Sequence, residues 1–539
     1  MRPSRDSHTV APLLSASSAQ SDGTSRCQVG TSEKSRGFRA CRARAVVLGV
    51  LVLSVLCLCM QRPASATDTL PTEKLCTHCH RLPEPAILPQ SAWPATIWQM
   101  AGLGGFATNL PGDVDVEAVV DWYVANAPVR LAEPTAVAAA ATPHFQPEAG
   151  LSLPAPAAVP FVSNLLVADL LPAEGPELIL CDMRNGGVWA GSADSDEWQP
   201  QKIASLPSPA RAEAVDLDAD GRMDLVVAVL GSSMAMDHLL GQVVWLRQAA
   251  DGRFDPVVLA DGLGRVADVQ PVDIDGDGDI DLAVAEFGWR QTGHLLLYEN
   301  TADENTAGPD GPPSFRRIEI DGLHGASRVE PADLDGDGQL ELVALYAQEH
   351  EAVRVYHRGA AGWTESRDLF RAPHPAWGHS SMQLIDLDHD GDDDLLLTNG
   401  DAYDNALLKP YHGIRWLENR GGFEFVEHHL AHMPGAYAAA AADLDGDGDL
   451  DLVASALAEP EADATVVQSL ASLLWLEQTE PGIFRTEVLE TGDLRHPYLT
   501  LHDHNSDGLP DLFVGNGCFD DTAIEPTAAS VRVWTNQSR

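Results

Sequence analysis

Residues Asp443–Asp451 read DLDGDGDLD, with carboxylates at positions 1, 3, 5 and 9 and a glycine at position 6. The pattern recurs five more times. The oxygen-bearing positions are Asp216, Asp218, Asp220 and Asp224; Asp273, Asp275, Asp277 and Asp281; Asp333, Asp335, Asp337 and Glu341; Asp386, Asp388, Asp390 and Asp394; Asp443, Asp445, Asp447 and Asp451; and Asp503, Asn505, Asp507 and Asp511. Alternate oxygens wrapped round a glycine that permits a sharp reversal suit a hard cation with several oxygen ligands, as in a shortened EF-hand loop. Calcium is the expected ion. Magnesium retains more of its water, and softer metals want Cys or His, which these loops lack apart from the off-pattern His389 and His504. The alternative is a set of solvated Asp-Gly turns.

The first aspartates are 57, 60, 53, 57 and 60 residues apart, a period that implies a repeat unit. Each loop follows an alternating stretch and precedes an apolar one such as DLVVAVL from Asp224 or DLAVAEF from Asp281. Aromatic-centred runs come third (VVWLRQ from Val243, IRWLEN from Ile414), and a fourth run begins near FDPVVLA or FRRIEI. Four short strands joined by turns make one propeller blade. A degenerate copy lies upstream, at Asp169 and Glu177–Leu180, without the carboxylate spacing and therefore without an expected cation. The chain ends after a third-strand run, VRVWTN, so the last blade lacks a fourth strand, and an orphan around Phe145–Leu153 resembles it. Borrowing that strand closes a seven-bladed ring and removes open edges. These blades resemble FG-GAP/VCBS repeats, the calcium-loop blades of integrin α-chain propellers and many exported bacterial proteins. The resemblance implies the fold and the calcium and says little of function, since such propellers host adhesion, lectin-like and enzymatic members.

The net charge is −46, and 23 acidic residues occupy the loop positions, so bound cations would neutralise much of it. An acidic surface argues against nucleic acid and anionic membrane as partners. Residues 1–66 read as an export signal: arginines lead into the apolar run Ala45–Met60, and Ala64-Ser65-Ala66 offers a cleavage site. A retained anchor is the alternative and the only expected route to a membrane. Either way the protein is placed outside the cytoplasm, in a periplasm or at the cell surface. Four cysteines lie beyond the signal; of these Cys181 and Cys518 are either a disulfide or two buried thiols.

Residues 67–131 carry Cys76-Thr77-His78-Cys79-His80, the attachment pattern for covalent haem c. Two thiols add to one porphyrin and His80 is held beneath the iron. A redox cysteine pair or a zinc site would need companions that are not present. Met100, at the end of an expected helix from Trp93, is either the sixth ligand or a packing residue. The run CTHCHRLPEPAILPQSAWPATIWQM, followed by WYVANAPVRL, resembles the small α-helical monohaem cytochrome c module of exported bacterial repeat proteins, and that resemblance implies Met100 as the distal ligand. Residues 132–144, rich in Ala and Pro, read as a linker to a propeller spanning 145–539.

Counting back from each first aspartate, alternate residues of the preceding strand are polar: Arg211 and Glu213, Asp268 and Gln270, Arg328 and Glu330, and Gln383 beside Ser381. Period-two alternation puts them on the face opposite the apolar set. If this strand is innermost they line the channel, either as structural ion pairs or as a site for a polar ligand. His379, Tyr437, His496 and Tyr498 start neighbouring strands and are expected at its mouth. The expected protein is mainly β, an exported haem electron-transfer protein whose propeller binds a redox partner, a polysaccharide or a small polar ligand. An oxidoreductase with substrate at the channel mouth and an adhesion scaffold are the alternatives.

Overall fold

The computed structural model describes residues 81–103, 115–133 and, with internal gaps such as 302–312 and 520–528, 144–538. The export signal, Cys76, Cys79 and His80, and most of the linker lie outside the described residues. Everything described belongs to one compact unit.

Seven four-stranded antiparallel sheets follow one another along the chain. Blade two shows the logic. Its innermost strand Pro209–Val215 carries the loop into Asp224–Val229, which is buried at every position because it lies between two strands and between two neighbouring blades. A strand covered on both faces reads as an unbroken apolar run. The third strand, Gly241–Gln248, is buried almost throughout, and the fourth, Phe254–Leu263, alternates towards solvent as an edge.

The apolar cores sit between successive blades. Val227 and Val229 of blade two pack with Ile179 and Cys181 of blade one, while Trp245 on the other face packs with Val269 and Val284 of blade three. The series closes where Phe513 and Val533 of blade seven meet Val162 and Leu178 of blade one. Closure uses the borrowed strand as expected: Phe145–Pro147 completes blade seven beside Val531–Asn536, pairing Phe145 with Asn536 and Pro147 with Trp534. Cys181 and Cys518 are both buried and unbonded, which resolves the two readings in favour of free thiols.

Helices α1 (Trp93–Leu103) and α2 (Val116–Asn126) form a small module. Asp115 caps α2 by accepting the Ala118 N–H at 3.1 Å, which satisfies one of the donors a helix start leaves free. Trp93 stacks on Tyr123 with ring centres 3.9 Å apart, and the Tyr123 hydroxyl donates to the Pro83 carbonyl at 2.9 Å. Ala376 and Leu407 of blade five pack against this cluster, so the module's core continues onto the propeller.

Phe145 is 1% exposed and packs edge-on to Trp475 in the core between blades six and seven. Phe145→Ala is expected to destabilise the protein by about 3–5 kcal/mol in urea denaturation, the range for emptying a buried aromatic site.

Candidate metal centres and the axial channel

Each acidic loop is shaped by its own first carboxylate. In blade five Asp386 accepts the N–H groups of Asp390 at 3.0 Å and Gly391 at 3.1 Å, and Asp390 accepts that of Asp392 at 3.0 Å. Folding the backbone this tightly requires left-handed residues. The position-6 glycine supplies one, with φ +98° at Gly391 and Gly448. Position 4 supplies another in all six loops: Gly276, Gly336 and Gly446, but also Ala219 (φ 53°), His389 (57°) and Ser506 (58°). The off-pattern His389 is thus a backbone feature, and the second left-handed position was readable only from the three copies with glycine there.

The carboxylates at positions 1, 3 and 9 converge. Asp216, Asp218 and Asp224 in blade two, Asp273, Asp275 and Asp281 in blade three, and Asp333, Asp335 and Glu341 in blade four each bring three oxygens within 4.8 Å of one another. In blade five the Asp388 Oδ1 atom is buried with no hydrogen-bond partner. Burial and then the neighbouring Asp390 push its carboxyl group up from the usual range. Convergent, under-satisfied carboxylates fit an oxygen-seeking divalent ion. The position-5 group in each loop also caps the local backbone, as Asp390 does.

Blade two departs from the expected uniformity. Arg247 lies 2.6 Å from Asp218, and Arg222 pairs with Asp220. In blades three, five and six the residue corresponding to Arg247 is Glu299, Glu418 or Glu477, just before the amide that meets the position-9 acid. This loop carries its own cations where those three add a further anion; in blade four the equivalent residue is His357, and the next, Arg358, lies 3.5 Å from Asp275 of the blade-three loop.

Position 9 has a second role that sequence spacing conceals. Asp394 is 1% exposed and accepts the N–H of Leu387 at 3.2 Å and of Asn419, in the third strand, at 2.7 Å. Asn419 in turn donates to the Leu334 carbonyl in the loop of the preceding blade at 3.4 Å. The relay repeats through Gln248 to Leu170, Gln478 to Leu387 and Asn536 to Leu444. Blade one, which lacks the cation spacing, keeps the acid: Glu177 accepts the Leu170 N–H at 2.9 Å.

In the channel the polar residues of blades two and three form a knot. The Arg211 Nε lies 2.5 Å from Glu213 and 3.1 Å from Asp268, and its Nη1 donates to the Tyr498 hydroxyl at 3.1 Å. Gln270 donates to Glu213 and Asp268, both at 3.3 Å. Asp268, with 0% exposure, accepts the Val329 N–H of blade four at 3.1 Å. Burial pushes the carboxyl groups of Asp268 and Glu330 up to about 7, against the opposing pull of Arg211. Arg328 and Gln383 are half-buried on the inner strands of blades four and five and join none of these contacts. Of the residues expected at the mouth, Tyr498 belongs to the knot. His379 and His496 are instead buried, His379 3.1 Å from Glu351 and His496 2.7 Å from Glu490. The knot ties blades two, three, four and seven together.

A family model described as an FG-GAP-like repeat matches residues 216–284, 273–344, 333–397 and 398–454. The first three matches begin at Asp216, Asp273 and Asp333, the first carboxylates of their loops. Residues 216–454 of the propeller therefore match FG-GAP-like repeats, with blade one, blade seven and the outer two strands of blade six outside the matched span. Among solved structures, a crystal structure of BBS1N in complex with ARL6DN, soaked with lead, is 10% identical and covers 73% of this chain and 97% of that chain with a TM-score of 0.43. No curated protein matches the chain.

Asp394→Ala is expected to destabilise the protein by about 3 kcal/mol even in chelator, because two buried N–H groups lose their acceptor, with a further loss in calcium because the same carboxylate belongs to the cation site. Asp390→Ala should lower the melting temperature mainly in calcium. Paired thermal melts with calcium and with chelator distinguish the two positions. Because the folded-state pKa values of Asp268 and Glu330 lie above those of the unfolded chain, the folded state binds more protons between about pH 4 and 7. Their contribution is complete below that window and is lost as pH rises through it. Asp268→Asn should flatten this part of the pH–stability curve measured by urea denaturation.

Proposed function

We propose that this chain, a seven-bladed propeller of FG-GAP-like repeats, is an exported electron carrier in which a covalent haem module is fixed to a calcium-braced binding scaffold. The propeller fold suits the binding of a protein or ligand partner. The observation that carries the redox half is the join between the helices and blade five. The segment directly after Cys76-Thr77-His78-Cys79-His80 folds around Trp93, Ile97 and Tyr123, and Ala376 and Leu407 extend that core into the propeller. A haem module so anchored has a fixed position on the ring and can present its iron to whatever the ring binds.

Cys76 and Cys79 would hold the porphyrin, with His80 as the proximal ligand and Met100, half-buried towards the end of α1, as the distal one. The haem supplies one-electron transfer when bound; the chain's part is to fix its orientation and limit water around it. A cavity of about 110 Å³ lies where the end of the module meets blade five, lined by Glu133, Lys409, His412 and His432 among others. Its mixed charge suits a small polar ligand or the edge of a partner.

In the same reading calcium occupies the loops of blades three to seven, and the guanidinium groups of Arg247 and Arg222 stand in for it in blade two. Export through residues 1–66 puts the protein in an oxidising, calcium-containing compartment. No helix among the described residues is long and apolar enough to cross a membrane.

Protein purified from a host with a cytochrome c maturation pathway is expected to carry one covalent haem with a low-spin reduced-minus-oxidised spectrum. Met100→Ala should convert it to a high-spin form with a lower potential. A mature chain whose mass includes no porphyrin would refute the redox reading. Haem reduction on anaerobic addition of a sugar or alcohol would instead make it an oxidoreductase.

A further inference from the structure

The acidic loops join the first and second strands of each blade, so they occupy one face of the ring. The turns between second and third strands, and the links from one blade to the next, lie on the opposite face. On that face of blade four, three side chains that belong to none of the sites above come together. One ring nitrogen each from His324 and His350 and a carboxylate oxygen of Glu349 lie within 4.8 Å of one another. His324 Nε2 is 3.1 Å from Glu349 Oε1, and the His324 and His350 rings meet edge to face with centres 4.8 Å apart.

The backbone holds this group in place. His324 precedes Gly325, whose N–H donates to the Phe287 carbonyl at 2.8 Å and whose own carbonyl accepts the Ala347 N–H at 2.9 Å. Glu349 and His350 fall in a turn whose flanking residues Gln348 and Glu351 both have positive φ, 59° and 42°. Glu351 is 4% exposed and anchors the turn by accepting the His379 N–H of blade five at 2.9 Å. His350 Nε2 is buried and has no hydrogen-bond partner, so the group is not explained as a satisfied hydrogen-bond network. The nearby cations are already engaged: Arg354 with Asp321 and Asp368, and Arg371 with Asp368.

We propose that His324, Glu349 and His350 form a binding site for a divalent transition metal of the zinc class, separate from the calcium loops and on the opposite face of the ring. Two imidazole nitrogens and one carboxylate oxygen are a donor set that zinc accepts and calcium does not. The His324 and Glu349 side chains retain 19% and 32% of their exposure, so a fourth coordination position opens to solvent. Three protein ligands and an open position are the arrangement in which zinc can bind water or an oxygen-bearing ligand.

The test uses the haem-loaded chain, so that Cys76 and Cys79 are not free to take zinc, saturated with calcium so that the acidic loops are filled. After addition of zinc and desalting, elemental analysis is expected to find about one zinc per chain, with zinc-edge X-ray absorption reporting two imidazole ligands. His324→Ala and His350→Ala should each weaken zinc retention by at least about 100-fold, while His294→Ala, at the Glu286 pair in blade three, leaves it unchanged. Glu349→Gln, which conserves shape, should also lose zinc without a change in melting temperature. Failure of the folded chain to retain zinc would overturn the proposal. So would retention by the His324→Ala/His350→Ala double variant, which would put the ion elsewhere.

Discussion

A buried carboxylate at the start of each second strand holds the ring together. It accepts the backbone N–H of its own loop and, in blades two, three, five, six and seven, that of the third strand, and in four blades the third-strand amide side chain then reaches the preceding blade's loop. A charge taken out of water needs such partners, and the backbone groups it satisfies would otherwise be orphaned at a strand end. The persistence of Glu177 in blade one, where the rest of the acidic pattern is gone, separates this structural duty from cation binding. The constraint also explains why the loops keep one length: one residue more or fewer would turn the acid away from the third strand.

The remaining carboxylates are free to specialise on this frame. Those at positions 1 and 3 converge on a point beside the buried acid, and position 5 shares itself with the backbone. In blade two Arg247 pairs with Asp218, one of three acids that also converge there. The channel uses the same economy of charge, with Arg211 shared among Glu213, Asp268 and Tyr498 so that inner strands of four blades are tied at one place. The opposite face is built differently. It carries the helical module over blade five and the His324–Glu349–His350 group over blade four, and it is poorer in repeat-derived features because its turns vary in length and composition.

Much of this was legible because repetition reports register. The period gave the blades, the truncated last repeat gave the closing strand at Phe145, and the alternation before each loop gave the channel face on which Arg211 and Asp268 meet. What escaped the sequence was partnership across blades. Nothing in the string Arg-Gln at 247–248 indicates that the first residue turns to Asp218 while the second bonds Asp224 and the previous blade. His379 and His496 were expected at an open mouth and are instead buried, each beside a carboxylate, Glu351 and Glu490. His324 and the Glu349–His350 pair are 25 residues apart and belong to no repeat-wide pattern, so only the fold unites them.

The central claim is that the acidic loops of blades three to seven are cation sites built on a buried-carboxylate frame. Native mass spectrometry of the folded mature chain in calcium measures this directly. Five bound calcium ions, lost together with a large fall in melting temperature on chelation, are predicted. A chain that retains no calcium and melts at the same temperature in chelator would contradict the account.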